Sequence, residues 1–322
     1  MLSPVRSGSW ALGSLGFAGL LLAQEAPQFT RIQALTDREV TLQLTATRSQ
    51  HYRLETSADL VRWTSLLTLL STGSDQHTDS AAPYLDSRFY RALEVSGPDL
   101  LTGDHLATDD GEVIIHPLNH ASFIMRWKGK TIYADPVSAA GPFTGLPKAD
   151  LILVSHSHGD HFDSATINTV RGPEAVIIAP QAVFTSLSTT LKALTVVMTN
   201  GATANVLGLT IEAVPAYNTR HTKGEGNGYV LTLGGKRIYM SGDTGNIAEM
   251  RALPNIDVAF VCMNVPYTMN VNEAVTAVRA FRPKVVYPYH FRNQDGSFAN
   301  LTTFKRLVGT DLFIEVRTRK WY

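Results

Sequence analysis

The stretch LILVSHSHGDHFD, residues 151–163, places three histidines and an aspartate within six positions, directly behind an apolar run. Alternate side chains of a strand lie on the same side. His156 and His158 therefore point the same way if the backbone stays extended, and they can share one metal ion. Asp160 and His161 follow as the chain turns toward a helix, and they can face a second metal. Imidazole and carboxylate groups are ligands that zinc and similar divalent ions accept.

On its own, this stretch leaves two alternatives open: a polar loop, or a His-rich tract that binds metal loosely. Other metal-binding residue types, however, follow other strand-like runs in the same way. Functional residues commonly gather at strand ends on a rigid scaffold, so the recurrence predicts one cluster of ligands along a sheet edge. These runs are LTIEAVPAYNTRH, which ends in His221, KRIYMSGD, which ends in Asp243, and PKVVYPYH, which ends in His290.

Changes in the residue pattern along the chain predict two domains. Residues 28–96 contain short alternating runs such as EVTLQLTA and YRLETSA, which predict a small all-β domain in which we expect His51 and His77 to be exposed. Residues 97–111 are polar and rich in Gly and Asp, which is typical of a linker. Over residues 112–322 strand-like and helix-like runs alternate, and this mixture favours sheets covered by helices.

The first 23 residues have the pattern of a secretory signal peptide. Arg6 supplies a positive charge, WALGSLGFAGLLLA supplies a short apolar run, and small residues follow, with cleavage expected after Ala23. The apolar run is shorter than the ~20 residues that span a bilayer. The sequence therefore predicts an exported protein, periplasmic or extracellular, with no stable membrane span after cleavage.

The overall composition is that of an ordinary globular protein. The chain has 322 residues, of which 44% are hydrophobic and 17% charged, and its formal net charge is zero. Without a basic excess, we expect no nucleic-acid partner. We expect a small-molecule substrate as the partner instead. This substrate is anionic if it is bound by the cations beside the proposed ligands, which are Arg220, Lys223 and Arg292.

The run His156 to His161, HSHGDH, resembles the HxHxDH motif of the metallo-β-lactamase fold hydrolases. SGDT and YPYH are similar to the later Asp and His motifs of that family. HPLNHASFIMRWKGKTIYADP resembles the opening of the branch that contains ascorbate-phosphate lactonase and N-acyl-phosphatidylethanolamine phospholipase D. The resemblance covers residues 112–318 and implies an α/β fold, a four-layer αββα sandwich. Separately, YRLETSADLVRWTSL and FYRAL resemble a small β-sandwich module of secreted bacterial proteins.

The family resemblance also implies two divalent metal ions, zinc first, with manganese or iron as alternatives. One ion would be held by His156, His158 and a third histidine, and Asp243 would bridge to the other. The third histidine is either His221 or absent, in which case Asn218 or water takes its place; we favour His221. The second ion would be held by Asp160, His161 and His290, and the first two of these are also the expected catalytic residues.

Other residues are expected to support the site. His120 matches a family position where a hydrogen bond to a metal ligand is expected, and Asp135 can act similarly or simply cap a turn. Tyr267 matches a loop near the family's active site, with core packing as the alternative. His116, on a strand-like run, is expected to be structural.

These observations predict an exported metal-dependent hydrolase. A hydroxide held between the two metals would attack an ester, lactone or phosphodiester bond. Two alternatives stay open at this point. One is a non-catalytic, metal-containing binding module, and the other is an enzyme that hydrolyses β-lactams.

Overall fold

The computed structural model describes residues 26–97 and 100–322. The predicted signal peptide, residues 1–23, lies outside the described residues. Among the described residues, no helix has the length and apolar character needed to cross a membrane.

The first part of the chain is a small β-sandwich. Its core contains side chains from both of its layers, because alternate residues of each strand face inward: Leu42, Leu44, Tyr52, Leu54 and Leu66. One layer is the antiparallel sheet β1-β2-β5, and the other is formed by β4, β3 and β6. The strands are β1 (Gln28–Ala34), β2 (Val40–Thr45), β3 (His51–Ser57), β4 (Thr64–Leu70), β5 (Ser74–Asp79) and β6 (Phe89–Val95), with a 3₁₀ turn at Ala82–Tyr84.

The second layer of this sandwich continues without a break into the rest of the protein. It belongs to a ten-stranded sheet of order β13-β12-β11-β10-β9-β8-β7-β4-β3-β6. The added strands are β7 (Gly103–Ala107), β8 (Glu112–Asn119), β9 (Ser122–Trp127), β10 (Lys130–Ala134), β11 (Ala149–Leu153), β12 (Arg171–Ala179) and β13 (Thr195–Val197). The helices between them are α1 (Ser164–Val170), α2 (Gln181–Ser186) and α3 (Thr189–Lys192), with a 3₁₀ turn at Ser138–Ala140.

The prediction that residues 97–111 are only a linker is therefore wrong for β7. This strand pairs with β4 on one side and β8 on the other. Its Gly103 has a φ of +137°, and a Cβ there would lie 2.2 Å from the carbonyl oxygen of Ile115. The glycine that indicated a linker is instead required by the close approach of two strands.

The second sheet has seven strands in the order β14-β15-β16-β17-β18-β19-β20. It is antiparallel up to β17 and parallel from β17 to β20. The strands are β14 (Thr203–Val206), β15 (Leu209–Ala216), β16 (Gly226–Leu233), β17 (Lys236–Met240), β18 (Val258–Cys262), β19 (Val285–Tyr289) and β20 (Glu315–Val316). The helices of this half are α4 (Ala248–Arg251), α5 (Val271–Phe281) and α6 (Leu301–Val308).

The two sheets pack face to face, with helices on their outer faces. Phe123 of β9 and Phe260 of β18 stack between the sheets with ring centroids 4.1 Å apart. Helices α1, α2 and α3 bury Ile167, Val183 and Leu191 against the outer face of the first sheet. Helices α4, α5 and α6 pack on the second sheet, as expected for strands that are apolar on both faces. The architecture is the predicted αββα sandwich, with a small N-terminal all-β part.

A buried ionic network joins the N-terminal sandwich to the second sheet. Asp104 of β7 accepts hydrogen bonds from Nε of Arg319, at 2.8 and 3.0 Å, and from the hydroxyl of Tyr287, at 2.7 Å. The hydroxyl of Ser80 donates to Glu315 at 2.7 Å. The expectation that His77 is exposed is wrong, since only 8% of this residue is accessible, whereas His51 is half-buried. The two parts of the chain therefore share buried charges.

Candidate metal centre

The predicted ligands come together at the carboxyl ends of four strands. His156 follows β11, His221 follows β15, Asp243 follows β17 and His290 follows β19. The loop after β11 then enters α1, where the carboxylate of Asp163 accepts a hydrogen bond from the N–H of Ala165 and caps the helix. The expectation that residues after neighbouring strand ends gather along one edge of the sheet therefore places these side chains correctly.

A first group consists of His156, His158 and His221, whose nitrogens lie within 4.8 Å of one another. Nε2 of His221 is 3.3 Å from Nδ1 of His158. His156 and His221 are buried, whereas His158 is exposed. Such a group of converging imidazoles has the composition of a zinc site.

A second group consists of Asp160, His161 and His290. Nε2 of His290 lies 3.0 Å from Nε2 of His161 and 3.4 Å from Oδ2 of Asp160. The two histidines are buried, and the side chain of Asp160 is 47% exposed. The structure thus brings together every residue that was predicted for the second ion.

Asp243 lies between the two groups and faces each with a different oxygen. Its Oδ2 is 3.5 Å from Nε2 of His221 and 4.0 Å from Nε2 of His156. Its Oδ1 is 3.3 Å from Nε2 of His161 and 3.5 Å from Nε2 of His290. This is the arrangement required of a bridging carboxylate.

The preceding glycine makes room for this carboxylate. Gly242 has a φ of +60°, and a Cβ there would lie 2.8 Å from the carbonyl oxygen of Asn227. A larger residue would have to displace the backbone that carries Asp243.

Asp135 orients the second group from behind. Its Oδ2 lies 2.7 Å from Nδ1 of His161, and its oxygens accept hydrogen bonds from the N–H and the hydroxyl of Ser155, each at 2.7 Å. Because Nδ1 of His161 is engaged by the carboxylate, Nε2 is left to face the site. The turn-capping alternative for Asp135 does not describe these contacts.

Asn218 orients His221 rather than replacing it. Its Oδ1 accepts from the backbone N–H of His221 at 3.1 Å and lies 3.1 Å from the ring Nδ1. Its Nδ2 donates to the carbonyl oxygen of Tyr267 at 3.0 Å. Nε2 of His221 is consequently directed at His158 and Asp243. Tyr267 contributes here through its backbone.

Sequence reasoning missed two residues that hold the ligands. The side-chain amide of Asn264 lies 2.9 Å from Nδ1 of His290, and the hydroxyl of Ser155 lies 3.0 Å from Nδ1 of His156. Asn264 lies two residues after the end of β18 at Cys262. The expectation that functional residues follow strand ends would therefore have found it, had it been applied to this strand. Ser155 adjoins the histidine cluster in sequence.

His120 contacts the second group as the resemblance implied. Its Nε2 lies 3.1 Å from Oδ2 of Asp160, and its ring centroid lies 3.7 Å from that of His290. His116, by contrast, bonds through Nδ1 to the carbonyl oxygen of Thr102 at 2.7 Å, as a structural histidine does.

Three residues at the site have left-handed backbone conformations. The φ angles of His120, Asp135 and His290 are +56°, +41° and +46°. Residues other than glycine rarely adopt positive φ, and such conformations cluster where surrounding contacts enforce a functional geometry. His290 belongs to the second group, His120 contacts that group, and Asp135 lies behind it.

The electrostatics of the site suit cations. Burial lowers the pKa of His156 well below its usual value, and His161 adds to this effect, so the His156 imidazole stays neutral. Burial opposes ionisation of Asp243, yet His290 and His161 hold its pKa far below the usual range. Burial also opposes charge on His161, but Asp243 and Asp135 raise its pKa well above normal. Two carboxylates thus attract positive charge to this point.

The buried polar atoms also fit a metal. Nε2 of His156 and Oδ1 of Asp243 are buried, and no group in the described part of the chain forms a hydrogen bond with them. Buried polar atoms without partners are rare in folded proteins. Both atoms point into the ligand cluster, where metal ions would bind them.

The three cations near the ligands differ in their partners. The ammonium of Lys223 is 2.6 Å from Glu249. Within residues 26–97 and 100–322, Arg220 and Arg292 form no ion pair. Arg220 lines the opening above the first group, and the guanidinium of Arg292 lies 4.2 Å from the ring centroid of Tyr322.

The αββα sandwich and this set of ligands at one sheet edge are those of a metal-binding protein of the metallo-β-lactamase type. The family comparison agrees: the beta-lactamase superfamily domain matches residues 115–290, and the chain belongs to that superfamily.

Two curated relatives are named UPF0173 metal-dependent hydrolases. The one from Pyrococcus abyssi is 33% identical over 211 residues, which cover 60% of this chain and 90% of the relative. The one from Thermus thermophilus is 32% identical over 215 residues, which cover 61% of this chain and 94% of the relative.

Solved structures give the same result. A metal-dependent hydrolase from Parabacteroides distasonis matches with a TM-score of 0.62 and 38% identity, covering 68% of this chain and 99% of that one. Igni18, a metallo hydrolase from Ignicoccus hospitalis, matches with a TM-score of 0.57 and 26% identity, covering 65% of this chain and 95% of that one. About a third of the present chain therefore has no counterpart in these structures.

Proposed function

We propose that this protein is an exported hydrolase that binds two divalent metal ions, most simply zinc, and cleaves an ester, lactone or phosphodiester bond in a small anionic substrate. The bond type follows from the branch that the opening of the domain resembles. The family resemblance implies two metals, and the arrangement of the ligands in two groups supports that number.

The observation that carries the proposal is the position of Asp243. One of its oxygens faces His221 and His156, and the other faces His161 and His290. A carboxylate with only one metal to bind would need only one of these sides. When bound, the metals supply Lewis acidity and activate water near neutral pH.

The chain's own residues supply orientation and charge around that centre. His161 is held by Asp135, and His221 is held by Asn218, so each keeps Nε2 directed at the site. Asp160, more exposed than the histidines of its group, can accept a proton from the attacking water or return one to the leaving group.

The anionic substrate is supported by the two unpaired arginines. Arg220 lines the opening beside the first group, and Arg292 lies over the ring of Tyr322. Neither forms an ion pair with a described residue, whereas Glu249 neutralises Lys223. A planar guanidinium binds phosphate or carboxylate through two hydrogen bonds.

Export is supported by the sequence pattern of residues 1–23. Expression in a bacterial host followed by fractionation would test it. We expect the periplasm or medium to contain a chain that starts after Ala23, and an uncleaved cytoplasmic product would contradict export.

The test of the hydrolase begins with purification without chelators and quantification of metals per chain. We expect about two. Asp243→Asn should reduce metal content at both groups, while His221→Ala should reduce it at one. p-Nitrophenyl phosphodiesters, esters and lactones would be assayed beside a chromogenic cephalosporin. Turnover of the cephalosporin alone, or one metal per chain with no turnover, would overturn the proposal.

The substrate charge can be tested separately. Arg220→Gln and Arg292→Gln should each raise KM about tenfold for an anionic substrate, because each removes a charged hydrogen bond. Lys223→Gln is the matched control and should leave KM unchanged. Equal effects of the three substitutions, or equal effects on a neutral substrate, would contradict an anion-binding role.

A further inference from the structure

Tyr322 and His120 form a chain of hydrogen bonds that ends at Asp160. The hydroxyl oxygen of Tyr322 accepts from the backbone N–H of Arg292 at 3.2 Å and lies 2.9 Å from Nδ1 of His120. The other ring nitrogen of His120, Nε2, lies 3.1 Å from Oδ2 of Asp160. Nothing in the sequence indicated that Tyr322 would contact His120.

The direction of these hydrogen bonds follows from their two ends. An ionised carboxylate can only accept, so Nε2 of His120 carries the proton that faces Asp160. In a neutral imidazole Nδ1 then has a lone pair and needs a donor. The hydroxyl of Tyr322 supplies it, since the Arg292 N–H already occupies the oxygen as a donor. Burial raises the pKa of Tyr322 to about 12, which keeps this hydroxyl protonated.

Asp160 depends on such a contact more than the other ligands do. Its side chain is 47% exposed, whereas those of His161 and His290 are almost completely buried. Packing therefore holds the two histidines more tightly than it holds the carboxylate of Asp160. The backbone of His120 is held in place, because its carbonyl oxygen accepts from the N–H of His290 at 3.0 Å and its backbone N–H donates to the carbonyl oxygen of Trp321 at 3.3 Å. Only the ring of His120 then needs a further contact to fix its orientation.

We propose that Tyr322 is a positioning residue for the metal centre: its hydroxyl bonds Nδ1 of His120 and fixes the orientation of the ring, which in turn holds Asp160 toward the second group. The proposal rests on the proposed function in that it takes Asp160 as a metal ligand. If the hydroxyl is removed, Nδ1 loses its donor, and the His120 ring can turn so that its Nε2–H no longer meets the Asp160 carboxylate.

The test uses Tyr322→Phe, which removes the hydroxyl and keeps the ring that packs against Phe291 and Phe298. The matched control is Tyr84→Phe, which removes another half-buried hydroxyl, bonded to the carbonyl oxygen of Ile314 far from the site. Thermal unfolding of both variants would establish that they fold.

The first readout is the hydrogen bonding of the His120 ring in metal-free protein, from the two ring ¹⁵N shifts of labelled histidine. We expect a protonated Nε2 in the parent chain and in Tyr322→Phe, with the Nδ1 resonance of the variant moved toward that of a nitrogen without a hydrogen-bond donor. The second is the dissociation constant for the more weakly bound Zn²⁺, by competition with a chelator. Tyr322→Phe should weaken it about tenfold, as is typical when a residue behind a ligand is removed, and Tyr84→Phe should not.

A double-mutant comparison separates this role from a general structural one. In a His120→Ala background Tyr322→Phe should have no further effect on zinc binding, because both changes remove the same contact to Asp160. An unchanged Nδ1 shift of His120 and an unchanged zinc affinity in Tyr322→Phe would overturn the inference even if the enzyme is active. Conversely, absence of hydrolysis would reject the proposed function while both readouts still report on Tyr322.

Discussion

Nδ1 of His161 lies 2.7 Å from Oδ2 of Asp135, and both side chains are completely buried. Carboxylates behind metal-binding histidines fix the ring orientation and raise the basicity of the ligand. In this protein the carboxylate also accepts two hydrogen bonds from Ser155, so its own orientation is fixed.

Asp135→Asn should weaken zinc binding by about 10- to 100-fold. Asp243 and Asp135 both raise the pKa of His161, and the amide removes the second of these charges and turns a charged acceptor into a neutral one. Chelator competition would measure the affinity. The control is Asp150→Asn, whose carboxylate accepts a hydrogen bond from the N–H of Thr131 on the same sheet. If both variants bind zinc equally well, Asp135 has only a structural role.

Asn218→Ala should weaken the metal held by the first group about tenfold while leaving the other metal in place. The substitution removes the acceptor for Nδ1 of His221 and frees the ring to turn. Asn218→Asp keeps an acceptor and should restore binding. Metal content after dialysis against increasing chelator would show the two steps. A loss of both metals together would contradict the inference that Asn218 supports only the first group, through His221.

The buried His77 predicts a pH dependence of stability. Burial is the main cause that lowers its pKa from 6.5 to about 4. The unfolded chain therefore binds a proton between these values while the folded chain does not, so stability is complete above pH 6.5 and falls as the pH drops toward 4. The loss amounts to about 3 kcal/mol.

His77→Gln should remove this slope. Urea unfolding at pH 7, 6, 5 and 4 would compare the parent and the variant, and the histidines of the metal centre contribute equally to both. Parallel curves over this range would show that the parent's His77 titrates normally in the fold.

Asp104→Ala should destabilise the protein by about 3–5 kcal/mol, because it removes a buried carboxylate, leaves the half-buried Arg319 without its partner and leaves Arg317 with Glu315 alone. Arg319 contacts Asp104 at 2.8 Å and Arg317 at 3.8 Å. Asp295→Ala, on an exposed loop, is the control and should change the free energy of unfolding little. A small effect of Asp104→Ala would mean that solvent reaches the network.

Sequence reasoning succeeded where neighbouring residues carry the information. The alternation around His156 and His158 and the strand ends before Asp243 and His290 predicted both the sheet edge and the ligands that the structure brings together there. The αββα fold and metal-dependent hydrolysis are confirmed. The specific branch and the signal peptide stay predictions.

It failed where distant segments meet. GDHLA, the strand β7, is too short and too polar to indicate a strand, and only its pairing with β4 and β8 makes it one. His77 and Asp104 look like surface residues until Arg319, far along the chain, is placed beside them. The contact of Tyr322 with His120 gives no local signal for the same reason.

The spacing of these contacts has a consequence for assembly. Tyr322 meets His120 across 202 positions, and Arg319 meets Asp104 across 215. Contacts of such length require large loops to close first, which slows folding. During synthesis Asp104 and His120 therefore cannot make these two contacts until almost the entire hydrolase domain has been made. On the role proposed for Tyr322, a chain that has not yet reached this residue should not hold Asp160 in its final orientation.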